Sequence, residues 1–286
     1  MSVEVFKPEL WSQTILNELD VLTGLRKHSD YSFSQEIKYG TKLHITEAGT
    51  TTIKDYVQGN DIEIENYDGN EVVLEITEQK YFAKYYDNVD TTQSIKGVME
   101  NDMKQSAKEL KLEADKFVSK KLYKGVEEEK ITKSSEAITP NEKNVVTAIE
   151  DGLIVLYENN VDTSTEIWGE LSPKMYSHMR RYLTELATNN IELMKKGIIG
   201  KYNQVNITIE NLLPVKTNVR YNFLRTGKAF AFAEQIDQVK AVEKEKGFGD
   251  IVKGLYVFGG VIVKPKEIYA IQETTTGVAD SAWLAE

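Results

Sequence analysis

Apolar and polar residues alternate along most of the stretch from Ser34 to Asp90, the pattern of strands that bury one face. Gly40–Thr46, Thr50–Val57, Asp61–Glu65 and Glu71–Thr77 follow it, and Asp68-Gly69 between the last two is a strong hairpin turn signal. The pattern predicts a long, polar β-ribbon with little apolar surface to hold it in place. An isolated two-stranded ribbon is marginal in water. A ribbon of this length is therefore expected to lie on a neighbouring subunit, which makes self-assembly the first functional expectation. Gln79–Asp87 closes the ribbon as an aromatic-rich strand. Its rings read as cross-strand pairs and not as a platform for stacking bases, because Glu75, Glu78 and Asp87 would repel phosphates.

Elsewhere the period is that of a helix. In Pro8–Leu25 the residues Leu10, Trp11, Ile15, Leu16, Leu19, Val21, Leu22 and Leu25 fall largely on one stripe. This segment is either a helix on its own core or an arm docking on another subunit. The longest helical pattern starts at Asp90 or Thr91 and repeats through Ile95, Met99, Met103, Ala107, Leu110, Ala114, Phe117 or Val118, and Leu122, with Gly125 as its stop. About 33 residues at 1.5 Å each make a rod of roughly 50 Å.

After a charged connector at Glu127–Ser135, Thr139-Pro-Asn-Glu142 reads as a capping box with proline at the first helical position. A strand over Thr165–Leu171 and a helix opened by Ser172-Pro173 follow, then extended stretches at Ile198–Tyr202, Val205–Ile209 and Leu212–Pro214. This middle block is an α/β unit. In the last quarter Ala229–Ala233 is a buried-type strand and Val239–Lys246 alternates weakly. Asp250–Phe258 and Val261–Pro265 are two apolar strands around a turn at Gly259-Gly260, or one bent strand. Lys266–Ile271 ends the fold, and a loose tail is expected from Gln272 onward.

Composition narrows the function. The 286 residues are 41% hydrophobic and 28% charged, which allows a large core in one or two domains. A net charge of −10 argues against a protein whose main task is gripping nucleic acid, though not against a container that meets DNA weakly. With no cysteine, disulfides, thiolate metal sites and cysteine nucleophiles are ruled out. No secretion signal opens the sequence, and no apolar run approaches the roughly 18 residues of a membrane span, so a cytoplasmic setting is expected. His28, His44 and His178 are far apart, with no neighbours at ligand spacing. Neither a nucleophile elbow nor a phosphate loop is present, and Gly247-Phe-Gly249-Asp250 lacks the helix that would present amides to a phosphate. Asp61, Glu63 and Glu65, with Glu71 and Glu75 nearby, form a solvated face, bind a cation, or meet basic groups of a neighbour. No enzyme activity and no cofactor are assigned.

The order of elements, with Gly40–Tyr56, Glu78–Asp90, Gly197–Gly200, Val205–Pro214, Phe230–Ile236 and Tyr256–Ala270, resembles the major capsid proteins of tailed bacteriophages. The likeness covers about residues 8–272 and rests on the ordered set, since coat proteins carry no catalytic signature. It implies the α+β Hong Kong 97-type fold, with residues 1–37 as an N-terminal arm and 38–79 as an extended loop. Residues 80–141 and 237–272 would form a peripheral domain with a spine helix at about 91–124, residues 142–236 an axial domain, and 273–286 a C-terminal tail. It further implies hexamers and pentamers closing an icosahedral head around double-stranded DNA, assembled in the host cytoplasm. A portal and a separate scaffolding protein are the expected partners, because the sequence opens almost at the arm. Candidate contacts between subunits are Leu10, Trp11, Ile15, Ile53, Lys54, Tyr56, Val57, Ile62, Ile64 and Tyr67.

Other readings share parts of this pattern. A shell protein of a cargo-enclosing bacterial nanocompartment would have the same fold. A soluble α/β enzyme with an acidic site would elute as a small oligomer at all concentrations, and a phage tail or baseplate component would form rings or tubes.

Overall fold

Three α-helices and two sheets carry this chain in the computed structural model, which describes residues 24–34, 42–47, 53, 55, 70–87, 98–185, 200–243 and 249–284. In chain order they are β1 (Lys42–Glu47), β2 (Asn70–Asp87), α1 (Val98–Glu127), β3 (Thr132–Lys133), α2 (Glu142–Glu158), β4 (Ile167–Leu171) and α3 (Pro173–Glu185). Then come β5 (Lys201–Tyr202), β6 (Val205–Ile209), β7 (Val215–Lys216), β8 (Val219–Thr226), β9 (Phe230–Glu243), β10 (Gly249–Ile262) and β11 (Ile268–Thr274). The α+β class follows the sequence expectation.

The first sheet runs β1-β2-β10-β9, antiparallel throughout. The second runs β3-β11-β8-β4-β6-β5, with β7 also paired to β8. Within it β4 and β6 are parallel and joined through α3, as an α/β unit requires. Alternation along its strands sends Leu224, Tyr269 and Ile271 to a core under α2 and α3. Phe223, Ile268 and Ala270 face the opposite way, to a core under α1. The same stripe of α1 (Leu110, Ala114, Phe117, Val118, Leu122) also packs on Phe230, Phe232, Tyr256 and Phe258 of the first sheet. One helix thus spans both sheets. Its buried positions match the expected stripe from Ala107 to Leu122. Ile95 and the side chains of Met99 and Met103 lie outside the described residues.

Several expectations change. The spine helix does not stop at Gly125 but runs to Glu127. The stop comes from Glu129, whose φ of 56° is left-handed, while the Gly125 carbonyl accepts the amides of Lys130 and Ile131 at 3.0 and 3.1 Å. The start of α2 moves two residues from Thr139-Pro140 to Asn141, whose side chain accepts from Asn144 N at 2.9 Å while Asn144 Oδ1 accepts from Asn141 N at 2.8 Å. Asparagine supplies both halves of this cap. The start of α3 is as read, with Ser172 Oγ accepting from Met175 N at 3.1 Å.

Gly259-Gly260 is not a turn. β10 runs unbroken through it, and a β-bulge between Phe258 and Gly259 shifts its register against β2. A Cβ at Gly259 would fall 2.2 Å from the Glu75 carbonyl oxygen, so the glycine is there for close approach of two backbones. Phe230–Ala233 and Val239–Glu243 also join, as parts of the single strand β9, while Ala229 ends the turn before it. Val219–Thr226, which no sequence signal marked, is a central strand.

The loose tail expected from Gln272 is instead tied down. Glu273 is fully buried, Thr275 N donates to Asn218 O at 2.8 Å, and Ser281 exchanges hydrogen bonds with Val215 at 2.9 and 3.0 Å. A final turn, Ala282–Leu284, lies against α1.

Replacing Gly259 by alanine should lower unfolding stability by about 1–3 kcal/mol through overpacking at the β2–β10 junction. The matched change at Gly200, where a new Cβ meets nothing within 4 Å, should leave it within about 0.5 kcal/mol. Urea unfolding of both variants checks the pair.

Candidate assembly surface

The base of the expected ribbon is β1 with the first part of β2, in register from Lys42↔Glu75 to Glu47↔Asn70. Contrary to expectation it has an apolar anchor: Ile45 and Leu74 are buried with Ala231, Ala233 and Val263. Its polar face pairs within the chain, Glu75 with Lys42 at 3.2 Å and Glu71 with His44. Of the candidate contact residues only Ile53 is described, and it is 94% exposed. Leu10, Trp11, Ile15, Lys54, Tyr56, Val57, Ile62, Ile64 and Tyr67 lie outside the described residues, as do Asp61, Glu63 and Glu65.

Beyond the ribbon base, the first sheet is covered on one face only. Even-numbered residues of β2 point toward α1, where Lys84 Nζ and Tyr86 OH both donate to the Asp102 carboxylate, at 2.5 and 2.6 Å. The Lys84 ammonium and these hydrogen bonds hold that carboxyl below its ordinary range, against a raising contribution from burial. Odd-numbered residues point away. Tyr81 opposes Leu255 and Tyr85 opposes Ile251, the cross-strand pairs expected of this strand. Yet Tyr81 is 78% exposed, Tyr85 43% and Val242 on β9 44%. Together with half-buried Ile251, Leu255 and Val257 they form an apolar face without a covering layer among the described residues. The pairing of β1 ends at Glu75, so from Ile76 to Asp87 the outer edge of β2 has no strand partner among the described residues. Open apolar face and open edge are both signatures of a contact surface.

The buried polar groups gather on the opposite side of the sheet, between α1 and residues 24–34. Arg225 and Glu170 on neighbouring strands β8 and β4 are fully buried and paired, with Nη2 2.7 Å from Oε1. Burial alone would raise the Glu170 carboxyl; the Arg225 guanidinium, with His28 Nδ1 at 3.0 Å, holds it below its ordinary value. His28 also stacks on Trp168, ring centroids 4.2 Å apart. Asp115 accepts from the Arg26 backbone at 3.0 Å but is raised by burial, and nearby Lys111 is lowered by burial. Glu210, 8% exposed, is pushed up to about 8 by burial and by the negative charges of Glu170 and Asp115. Sequence spacing gave no sign of this cluster, since its members run from position 26 to position 225 and meet only in three dimensions. Among the described residues no three possible ligands are grouped to hold a metal ion.

A folded-state pKa near 8 against an ordinary 4.5 means the fold favours the neutral Glu210 carboxyl. Its stabilising contribution is complete below about pH 4.5 and is lost as pH rises through 8. Glu210→Gln should therefore raise unfolding stability at pH 8 by about 1–3 kcal/mol and by almost nothing at pH 4.5. Denaturation at the two pH values reads the difference, and an equal effect at both would contradict this account.

No protein-family model and no curated protein matches the sequence. Solved structures do match its fold. A chain from Mycobacterium phage Che8 aligns with a TM-score of 0.72 at 19% identity, over 95% of this chain and 94% of that one. The mature capsid of bacteriophage PhiM1 gives 0.68 at 15% identity, over 98% and 93%. A virus-like particle from Pyrococcus furiosus gives 0.58 at 12% identity, over 92% and 98%. The chain accordingly has the capsid fold of the Hong Kong 97 type.

Proposed function

We propose that this chain is the coat subunit of a tailed-phage head, assembling into hexamers and pentamers of an icosahedral shell around double-stranded DNA. The observation that carries it is the alignment with a mature phage capsid over 98% of this chain and 93% of that one. The role is structural, not catalytic. The division into arm (1–37), extended loop (38–79), peripheral domain (80–141 with 237–272), axial domain (142–236) and tail (273–286) belongs to the same reading. So do a portal, a separate scaffolding protein, assembly in the host cytoplasm and weak contact with the genome.

The surface described above supports this reading. As the hairpin its pattern predicts, residues 48–69 would reach about 35 Å, past the edge of a subunit this size. Its apolar positions Ile53, Val57, Ile62, Ile64 and Tyr67 match the open apolar face of an adjoining copy. Its acids (Asp55, Asp61, Glu63, Glu65 and Asp68, against the single Lys54) match Lys253 on that face. Strand addition and distributed small contacts suit a shell, whose errors must anneal during closure. A cargo-enclosing nanocompartment is the second reading, favoured by the likeness to the Pyrococcus furiosus virus-like particle. The contents of purified particles, DNA or an enzyme, separate the two.

Negative-stain microscopy of the protein, alone and with its scaffold, should show closed shells; rings, tubes or a constant small oligomer would overturn the proposal. Tyr81→Glu should abolish closed shells while the melting temperature of the unassembled subunit moves by less than about 2 °C, since the ring is solvated there. At net charge −10 the subunits repel, so light scattering should rise with salt over about 0.01–0.5 M as the Debye length shrinks.

A further inference from the structure

Residues 24–34 cross the body as a single thread, through Leu25–His28 and Ser32–Ser34 turns, between α1 and the two sheets. Polar groups hold them to the body more than apolar packing does. Leu25 is the one fully buried apolar side chain of the thread and joins the core under α1; Tyr31 packs half-buried on that core and Phe33 on the small core at the ribbon base, while the core under α2 and α3 takes nothing from the thread.

The fastening centres on Arg225. Its Nε–H faces both oxygens of Glu170 at 3.1 and 3.2 Å, and one N–H of Nη2 donates to Glu170 Oε1 at 2.7 Å. The remaining donors all go to the thread: Nη2 to Leu25 O at 2.5 Å, and Nη1 to His28 O at 2.9 Å and Ser29 Oγ at 3.4 Å. Five N–H groups in one rigid fork are thereby divided between body and thread. Arg26 repeats the arrangement from the other side, its guanidinium donating to Glu234 on β9 and to Tyr256 OH on β10, the latter at 3.0 Å. Asp30 adds a short backbone bridge, its N donating to Phe230 O at 2.8 Å and its O accepting from Phe232 N at 2.9 Å. Gly24 marks the exit: a Cβ there would lie 2.2 Å from Asp115 Oδ2.

We propose that residues 24–34 form a detachable strap, stitched to the body by Arg225, that can open while both sheets stay folded and so re-site the N-terminal segment that precedes it. The Arg225–Glu170 pair belongs wholly to the body, so opening leaves that pair formed and admits water to the donors the strap had used. The apolar cores supply the cooperativity of the sheets, and the strap reaches them with one fully buried side chain, Leu25, and the half-buried rings of Tyr31 and Phe33, a small apolar share that suits sub-global opening. The inference does not depend on the shell reading, because it concerns the unassembled subunit.

Hydrogen exchange of the full-length unassembled chain, read by peptide mass spectrometry, tests it. Peptides covering 24–34 should exchange at least 10-fold faster than those covering β8 and β11. Arg225→Lys, which keeps the charge but cannot span Glu170 and two carbonyls, should accelerate the strap a further 10-fold or more and leave β11 within 2-fold. Arg26→Met acts on the strap without touching the Arg225–Glu170 pair, and should give the same selective acceleration even if Arg225→Lys fails to fold. Exchange of strap and sheets at one common rate, or no selective change in Arg26→Met, would overturn the proposal.

Discussion

The whole architecture depends on one apolar stripe of α1 lying on two sheets at once. Phe117 and Val118 meet the first sheet through Phe230, Phe232 and Phe258 and the second through Phe223 and Ala270. A helix of 30 residues, about 45 Å long, gives both sheets a common floor. Close packing then propagates the constraint. Gly259 must be glycine because the Glu75 backbone passes beneath it, and at Gly125 a Cβ would lie 2.6–2.7 Å from the ends of the Ile131 and Ile262 side chains, which would have to shift. Relative placement of the sheets is thus set by dense contacts that tolerate little sliding.

The same arrangement leaves the first sheet half finished. A sheet with an apolar face must bury it against something. The second sheet has helices on one face and α1 with the strap on the other, whereas the first has α1 on one face and, beyond the small core of Ile45, Leu74, Ala231, Ala233 and Val263 at its base, no covering layer among the described residues on the other. Tyr81 and Val242 stand in water there, beside an unpaired stretch of β2. Under the shell reading proposed above, a neighbouring copy would supply the layer that the described residues do not.

Between the helix and the sheets the chain buries charge, which carries a desolvation cost that only good geometry offsets. Arg225 achieves this by using every donor, and Glu170 by meeting both Arg225 and His28. Glu210 is left over and stays neutral at ordinary pH. A cluster that mixes satisfied and reluctant charges gives a joint that is specific in register yet weaker than the apolar cores around it.

Much of the fold was legible in the sequence, because it rests on local period. The spine helix, the strand–helix–strand block, the Ser172-Pro173 start and the aromatic strand leading into α1 all announce themselves through repeats of 3.6 or 2 residues. The failures share a cause. β8 carries Arg220, Asn222, Arg225 and Thr226 where a strand signal needs apolar residues; Asn222 is admissible because Ser172 N and Glu273 meet it, Arg225 because Glu170 and the strap do, and Thr226 because Glu267 does. Gly259 and Gly125 look like breaks but serve close approach, and the tail is held by partners around Val215 that are distant in sequence. The sequence by itself determined, through local period, most of the segments that become helix or strand. Only the tertiary structure decided where charge could be buried, which glycines were spacers and which sheet face was left open, since those depend on groups brought together from far along the chain.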